Sequence, residues 1–93
     1  MKRLIIRPDF DDIEVDVRFG DRLRAEREMS ARGWGSPQSN PLTWLTLATW
    51  RACLREKADV PQDFDEFTDQ IAKFQEVDGG DVDPFPEAPT TGN

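Results

Sequence analysis

The sequence predicts an α+β fold in which a small N-terminal β-hairpin packs on about three α-helices, followed by a disordered acidic tail. Three observations support this prediction. Apolar and charged residues alternate between positions 13 and 19, apolar residues recur at helical spacing between 41 and 74, and Gly, Pro and acidic residues dominate from 76 onward. Because periods of two and about 3.6 residues belong to strands and helices, we expect both kinds of element in one chain.

The hairpin is predicted over residues 3–19. Its second strand is the clearer one, because charged residues separate its apolar residues Ile13, Val15, Val17 and Phe19 and would leave one buried face. Residues 4–6 form a second β-prone run, and the Pro and Asp residues between the two runs favour a turn. Two strands alone are marginally stable in water, so the hairpin has to pack on helices or pair with another chain.

Two helices are predicted over residues 21–32 and 41–57. Asp21 can cap the first helix, which has a thin apolar stripe among many Arg and Glu residues. Asn40 is a favourable N-cap for the second helix, and Pro41 suits its first position. The apolar residues of this second helix surround its axis. We therefore expect it to lie at the centre of the fold or to be covered by a partner.

A third helix is predicted over residues 63–74, with Asp63 as its cap. Its apolar residues follow at intervals of three, four and three, which places them on one side of a helix: Phe64, Phe67, Ile71 and Phe74. The folded domain is accordingly expected to span residues 1–75. Residues 76–93 are rich in acidic residues, Gly and Pro, and we expect this tail to be disordered on its own.

The residue types that most often perform catalysis or bind metals are scarce. The 93 residues include no histidine and a single cysteine, Cys53, which excludes an intramolecular disulfide and a zinc site made of several cysteines. The acidic run 78–83 lacks the glutamate that closes a calcium loop, so a solvated linker is the better interpretation. Asp11 and Asp12 are interpreted as turn residues, because nothing indicates a pocket around them. We expect no enzymatic activity, no cofactor and no metal.

The formal net charge of −7 is unevenly distributed. Residues 1–58 carry 11 basic and 9 acidic side chains, whereas residues 59–93 carry 1 basic and 10 acidic ones, so the two parts have charges of +2 and −9. Because an acidic segment repels phosphates, we expect no direct binding of nucleic acid. No apolar run approaches the roughly 20 residues that span a membrane, and no signal peptide is recognisable. We expect no membrane contact and a cytoplasmic location.

Aromatic residues are the remaining candidates for a functional site. Trp34 lies between two glycines in a polar loop, where internal burial is difficult, so the interpretations are an interface residue or a core residue. The other aromatic candidates for partner binding, each with core packing as the alternative, are Trp44, Trp50, Phe64 and Phe67. We expect Trp34 and Trp50, with Phe64 or Phe67, to form an exposed groove for an amphipathic helix of a partner or of a second copy of the chain.

The order of several short motifs resembles that of the small tail assembly chaperones of siphophages, especially those that infect actinobacteria. The motifs are FGDRLRAE at residues 19–26, a helix opening with Pro41-x-x-Trp44, the segment DFDEF at 63–67, and an acidic tail containing Asp83-Pro84. The resemblance spans nearly the whole chain.

The resemblance implies a function in the assembly of a long phage tail. Such chaperones bind the helical tape measure protein, keep it soluble and help to recruit tail tube protein subunits in the host cytoplasm, and they are absent from the mature virion. A different class of function also fits the composition: a small acidic inhibitor or nucleic-acid mimic whose carboxylates occupy a basic groove on a host enzyme. The two differ in salt dependence, since the mimic would lose its partner steeply as the salt concentration rises.

Overall fold

A computed structural model describes residues 1–76 and shows an α+β fold with a three-stranded antiparallel sheet and three helices in this part of the chain. Residues 77–93, with nearly all of the tail that the sequence predicts to be disordered, lie outside the described residues. The elements in chain order are β1 (Lys2–Ile6), β2 (Ile13–Asp16), α1 (Phe19–Arg32), α2 (Pro41–Arg55), α3 (Phe64–Asp69) and β3 (Lys73–Glu76).

Strands β1 and β2 form the predicted hairpin, with Lys2 opposite Asp16 and Ile5 opposite Ile13. The alternation in the sequence sets which side chains are buried, because Val15 and Val17 both face the core. The alternating pattern in the sequence continues past the end of β2, however, and Phe19 is not part of the strand. This residue begins α1 and is 67% exposed, so the prediction that it shares the buried face of the strand is wrong.

The third strand was not predicted, and it replaces the second half of the predicted third helix. Helix α3 ends at Asp69, and the chain then turns so that β3 pairs antiparallel with β1, with Phe74 opposite Ile5. The predicted helix from 63 to 74 is therefore wrong beyond Asp69. An edge of β1 would otherwise expose unpaired N–H and C=O groups, and β3 satisfies them. The sheet has the order β2-β1-β3.

Helix α2 lies at the centre of the fold, which is the first of the two alternatives predicted from its apolar residues. Its residues 46–50 are buried without interruption. The hydroxyls of Thr46 and Thr49 donate to the carbonyl oxygens of Leu42 and Leu45 at 2.7 Å, so these buried polar groups are satisfied within the helix. The core comprises Ile5, Val15, Val17, Ala25, Met29, Leu47, Ala48, Trp50, Ala52, Cys53, Phe64 and Phe67.

The end of α2 comes two residues earlier than predicted. The helix ends at Arg55, and Lys57 adopts a left-handed conformation with φ of 60°. The N–H of Ala58 then bonds to the carbonyl oxygen of Cys53 at 2.9 Å, which satisfies one of the last carbonyls of the helix. This turn directs the chain toward α3.

Candidate partner-binding groove

Two adjoining clefts form an apolar groove between the start of α2 and the α3–β3 region, which we call the α2–α3 groove. The clefts have volumes of about 400 Å³ and about 380 Å³ and share Thr43 and Phe64. Trp34 and Asn40 complete the smaller cleft. The larger cleft is further lined by Leu42, Thr46, Thr68, Ile71, Ala72, Lys73 and Phe74.

Leu42 is the most exposed large apolar side chain of the described residues, at 72%. Pro41 occupies the first turn of α2, where its missing N–H costs no hydrogen bond, and Leu42 follows it. The first turn of a helix carries little of the core, so this side chain stays available at the mouth of the larger cleft. An exposed leucine beside an apolar cleft is a surface that a partner can cover.

Trp34 is held at the far end of the groove by backbone contacts. Its N–H donates to the carbonyl oxygen of Met29 at 2.9 Å, and its own carbonyl oxygen accepts from Asn40 Nδ2 at 2.7 Å. The glycines on either side have φ values of 71° and 87°, a left-handed conformation that a side chain at these positions would strain. The indole is half-buried, and its ring centroid lies 5.8 Å from that of Phe64. The loop therefore places the Trp34 ring beside Phe64 at the smaller cleft.

The floor of the groove is an aromatic cluster that belongs to the core. The Phe64 ring lies 5.5 Å from Trp50 and 6.4 Å from Phe67, between centroids. Trp50 is 5% exposed and donates its indole N–H to the carbonyl oxygen of Pro61 at 3.0 Å, and Phe67 is fully buried. The expectation that Trp50 is exposed in the groove is thus wrong. Of the two alternatives Phe64 and Phe67, Phe64 lines the groove and Phe67 is buried in the core. Trp34, Phe64 and Phe74 are the aromatic residues that line the groove.

Trp44 lies apart from this groove, against α1. Its indole N–H donates to the carbonyl oxygen of Arg22 at 3.1 Å, and its ring lines a separate cleft of about 180 Å³ with Phe19 and Leu23. Sequence reasoning missed Phe19 and Leu23 as surface residues. Their spacing of four residues within one helix could have indicated a shared surface. From the sequence, however, Phe19 was assigned to the alternating pattern of the second strand. The five aromatic candidates are therefore divided between two surfaces and the core.

Arg7 fixes the position of α3 and was not recognised in the sequence. Its guanidinium is buried and donates to the carbonyl oxygens of Asp11 at 2.9 Å and Asp59 at 3.1 Å, and to Oε1 of Gln70 at 2.9 Å. One side chain thereby joins the hairpin turn, the α2–α3 connection and the end of α3. A buried arginine is tolerated because each of these bonds is charge-assisted. The groove wall formed by α3 depends on this contact.

Charged side chains form ion pairs between α1 and α2, whereas the carboxylates of α3 are unpaired in the described residues. Arg51 and Arg32 both contact Glu28 at 2.6 Å, and Arg55 contacts buried Asp21 at 3.0 Å. On α3 and its cap, the exposed carboxylates belong to Asp63, Asp65, Glu66 and Asp69, and none of them forms an ion pair within residues 1–76. The α3 side of the groove is accordingly acidic.

The described residues contain one thiol, that of Cys53, which is buried. Burial, with a smaller effect from Glu56, raises the pKa of the Cys53 thiol to about 12, so the sulfur is protonated at neutral pH and is no nucleophile. Within residues 1–76, no group of three or more His, Cys, Asp or Glu side chains is arranged to hold a metal ion. None of the described helices has the length and apolar character needed to cross a membrane.

Comparison with models of protein families, with curated proteins and with solved structures finds no match to this chain.

Proposed function

We propose that this protein is a non-enzymatic tail assembly chaperone that binds an amphipathic helix of a tape measure protein in the α2–α3 groove. It acts in the host cytoplasm, helps to recruit tail tube protein subunits and does not remain in the mature virion. The proposal combines the resemblance of residues 19–26, 41–44 and 63–67 to siphophage chaperones with one structural observation. This observation is the open apolar groove with exposed Leu42 at its mouth.

The shape and composition of the groove suit a helix. An amphipathic helix binds by placing residues three and four positions apart into an apolar groove, and such sites commonly contain a fixed tryptophan. Trp34 and Leu42 lie at the two clefts that make up the groove. A long tape measure helix exposes many apolar residues before assembly, so a protein that covers them prevents aggregation. This function requires no turnover of a substrate.

The acidic C-terminal segment supports the same proposal. Residues 59–93 have a charge of −9, which keeps a complex with an apolar partner soluble by mutual repulsion between copies. The groove would then supply the contact, and the charge of the segment would supply solubility.

Leu42→Asp tests the proposal when the chain is co-expressed with the tape measure protein of the same phage. We expect the soluble complex to be lost, because an interface residue of this kind contributes about 2 kcal/mol or more, roughly a 30-fold change in affinity. An aspartate in the first turn of a helix is favourable for the helix dipole, so folding should persist. Trp34→Ala should weaken the complex in the same direction.

Phe19→Asp provides the matched control, since Phe19 is 67% exposed in the first turn of α1 but lies beside Trp44. This variant should retain the complex. Loss of binding in Phe19→Asp together with normal binding in Leu42→Asp would place the contact in the Trp44 cleft. Normal binding in all three variants, or no complex with the wild-type chain, would contradict the proposal.

The second candidate function, an acidic inhibitor or nucleic-acid mimic, is favoured by the exposed carboxylates of the α3 segment. In that case the partner would be a basic host enzyme, and affinity would fall steeply between low and high salt. A complex with the tape measure protein that survives high salt would exclude it.

A further inference from the structure

We propose that the α2–α3 groove selects amphipathic helices whose apolar stripe is flanked by Lys or Arg residues. The inference rests on the proposed function and specifies the chemistry of the segment that the groove accepts. It follows from the position of Asp65 and Asp69 on α3 and from the absence of ion-pair partners for both within the described residues.

Helical geometry places these two carboxylates along the rim of the groove. Residues three and four apart are neighbours on a helix surface, so Asp65 adjoins Thr68 and Asp69. Thr68 lines the groove, and its hydroxyl donates to the carbonyl oxygen of Asp65 at 2.9 Å. Asp65 lies one turn before Thr68, Asp69 directly follows it, and both are exposed. A helix in the groove would therefore pass next to two uncompensated negative charges.

The groove has little positive charge of its own. Lys73 is the single basic residue among those that line it. Several arginines elsewhere are already engaged, because Arg51 contacts Glu28 and Arg55 contacts Asp21. Asp65 and Asp69 form no ion pair within residues 1–76, with Lys73 or with any other cation, and a basic partner would supply one.

Charges at the rim of an interface mainly affect the association rate and the choice of partner. Complementary charge accelerates encounter at low salt, and like charges placed together reject the wrong partner. The apolar floor made by Phe64 supplies contact area that any amphipathic helix could use. The acidic rim adds discrimination, because a helix with flanking carboxylates would be repelled.

Two synthetic helical peptides of about five turns, roughly 18 residues each, test the inference on the 93-residue chain. Both carry the same leucine stripe, flanked by lysines in one and by glutamates in the other. We expect the lysine-flanked peptide to associate at least roughly tenfold faster at low salt, with a difference that shrinks as salt is added. The double variant Asp65→Asn with Asp69→Asn should lose most of this preference.

Asp9→Asn with Glu14→Gln is the matched control, because it changes the net charge equally at exposed residues of the hairpin. It should leave the preference nearly unchanged. Equal association of both peptides with the wild type, or an equal loss of preference in the control, would overturn the inference. If the tape measure protein still bound in that case, the proposed function would survive, whereas failure to bind both peptides and the tape measure protein would overturn both proposals.

Discussion

Asp21 has three roles at the level of a single residue. It is 1% exposed, it accepts a hydrogen bond from the N–H of Arg18 at 3.0 Å, and it contacts Arg55 of α2 at 3.0 Å. It therefore ends the hairpin, starts α1 and joins α1 to α2. The sequence placed it as the N-cap of α1, which is wrong: α1 begins two residues earlier, Arg18 is the N-cap and Asp21 is the third helical residue. Its buried ion pair was not predicted. A capping pattern is local, whereas the pairing with Arg55 depends on how the helices pack.

Asp21→Asn should lower the free energy of unfolding at pH 7 by about 2 kcal/mol, because it removes a charge-assisted hydrogen bond to Arg55. Burial by itself raises the pKa of this carboxyl, but the hydrogen bonds from Arg55 and Arg18 and the charges of Arg55 and Arg24 outweigh burial and lower the pKa below its ordinary value of 3.8. Urea unfolding of both proteins across a range of pH would measure the difference.

The pH dependence has a definite sign. A depressed pKa in the folded state means that the stabilisation is fully present above the ordinary carboxyl pKa of 3.8 and is lost as the pH falls through the folded value. The difference in the free energy of unfolding between wild type and Asp21→Asn should therefore be constant from pH 7 to about 5 and disappear below about 4. A gap that stayed constant down to pH 2 would show that the charge of Asp21 contributes nothing.

At the level of elements, local signals in the sequence were sufficient to predict the hairpin and the starts of α2 and α3. Asn40 and Pro41 mark the start of α2, and Asp63 caps α3 by accepting from the N–H of Glu66 at 3.0 Å. The end of α3 could not be predicted in the same way. Ile71 and Phe74 fit helical spacing, yet the pairing of β3 with β1 is a contact across nearly the whole described chain, and periodicity carries no information on it.

Periodicity was likewise insufficient to predict which residues line the groove. The sequence identified Trp34 and Phe64, which do line it, but it also placed Trp50 there, although this side chain is in the core. Periodicity shows that α2 is apolar on several sides, and only the packing of the other elements decides which sides remain open. Leu42 was overlooked as a surface residue because leucine in a helix is usually counted toward the core.

Lys57 allows a test of how α2 ends. A residue other than glycine in the left-handed conformation costs about 1–2 kcal/mol, whereas the extra freedom of glycine in the unfolded chain costs about 0.5–1 kcal/mol. Since the strain exceeds the entropic cost, Lys57→Gly should stabilise the protein by about 0.5–1 kcal/mol. Thermal unfolding would show a higher Tm, and Lys57→Ala, which keeps the strain, should show no such gain. A lower Tm for the glycine variant would mean that this turn is not strained.

At the level of the whole molecule, a central helix separates two surfaces of different character. On one side, the Trp44 indole N–H donates to the carbonyl oxygen of Arg22, and Arg51 and Arg55 contact carboxylates of α1. On the other side, the α2–α3 groove is open, apolar at its floor and acidic at its α3 rim. This asymmetry favours the groove as the place where a partner helix binds.

Mapping of backbone amide NMR shifts during titration with the tape measure protein, or with helical fragments of it, tests the central claim most directly. We expect the largest changes at Trp34, Leu42, Phe64 and Ile71, with Trp44 and Phe19 on the opposite side nearly unaffected. The same titration of Leu42→Asp should produce smaller changes at equal concentrations. Changes confined to the Trp44 cleft, or no change with any fragment, would contradict the account.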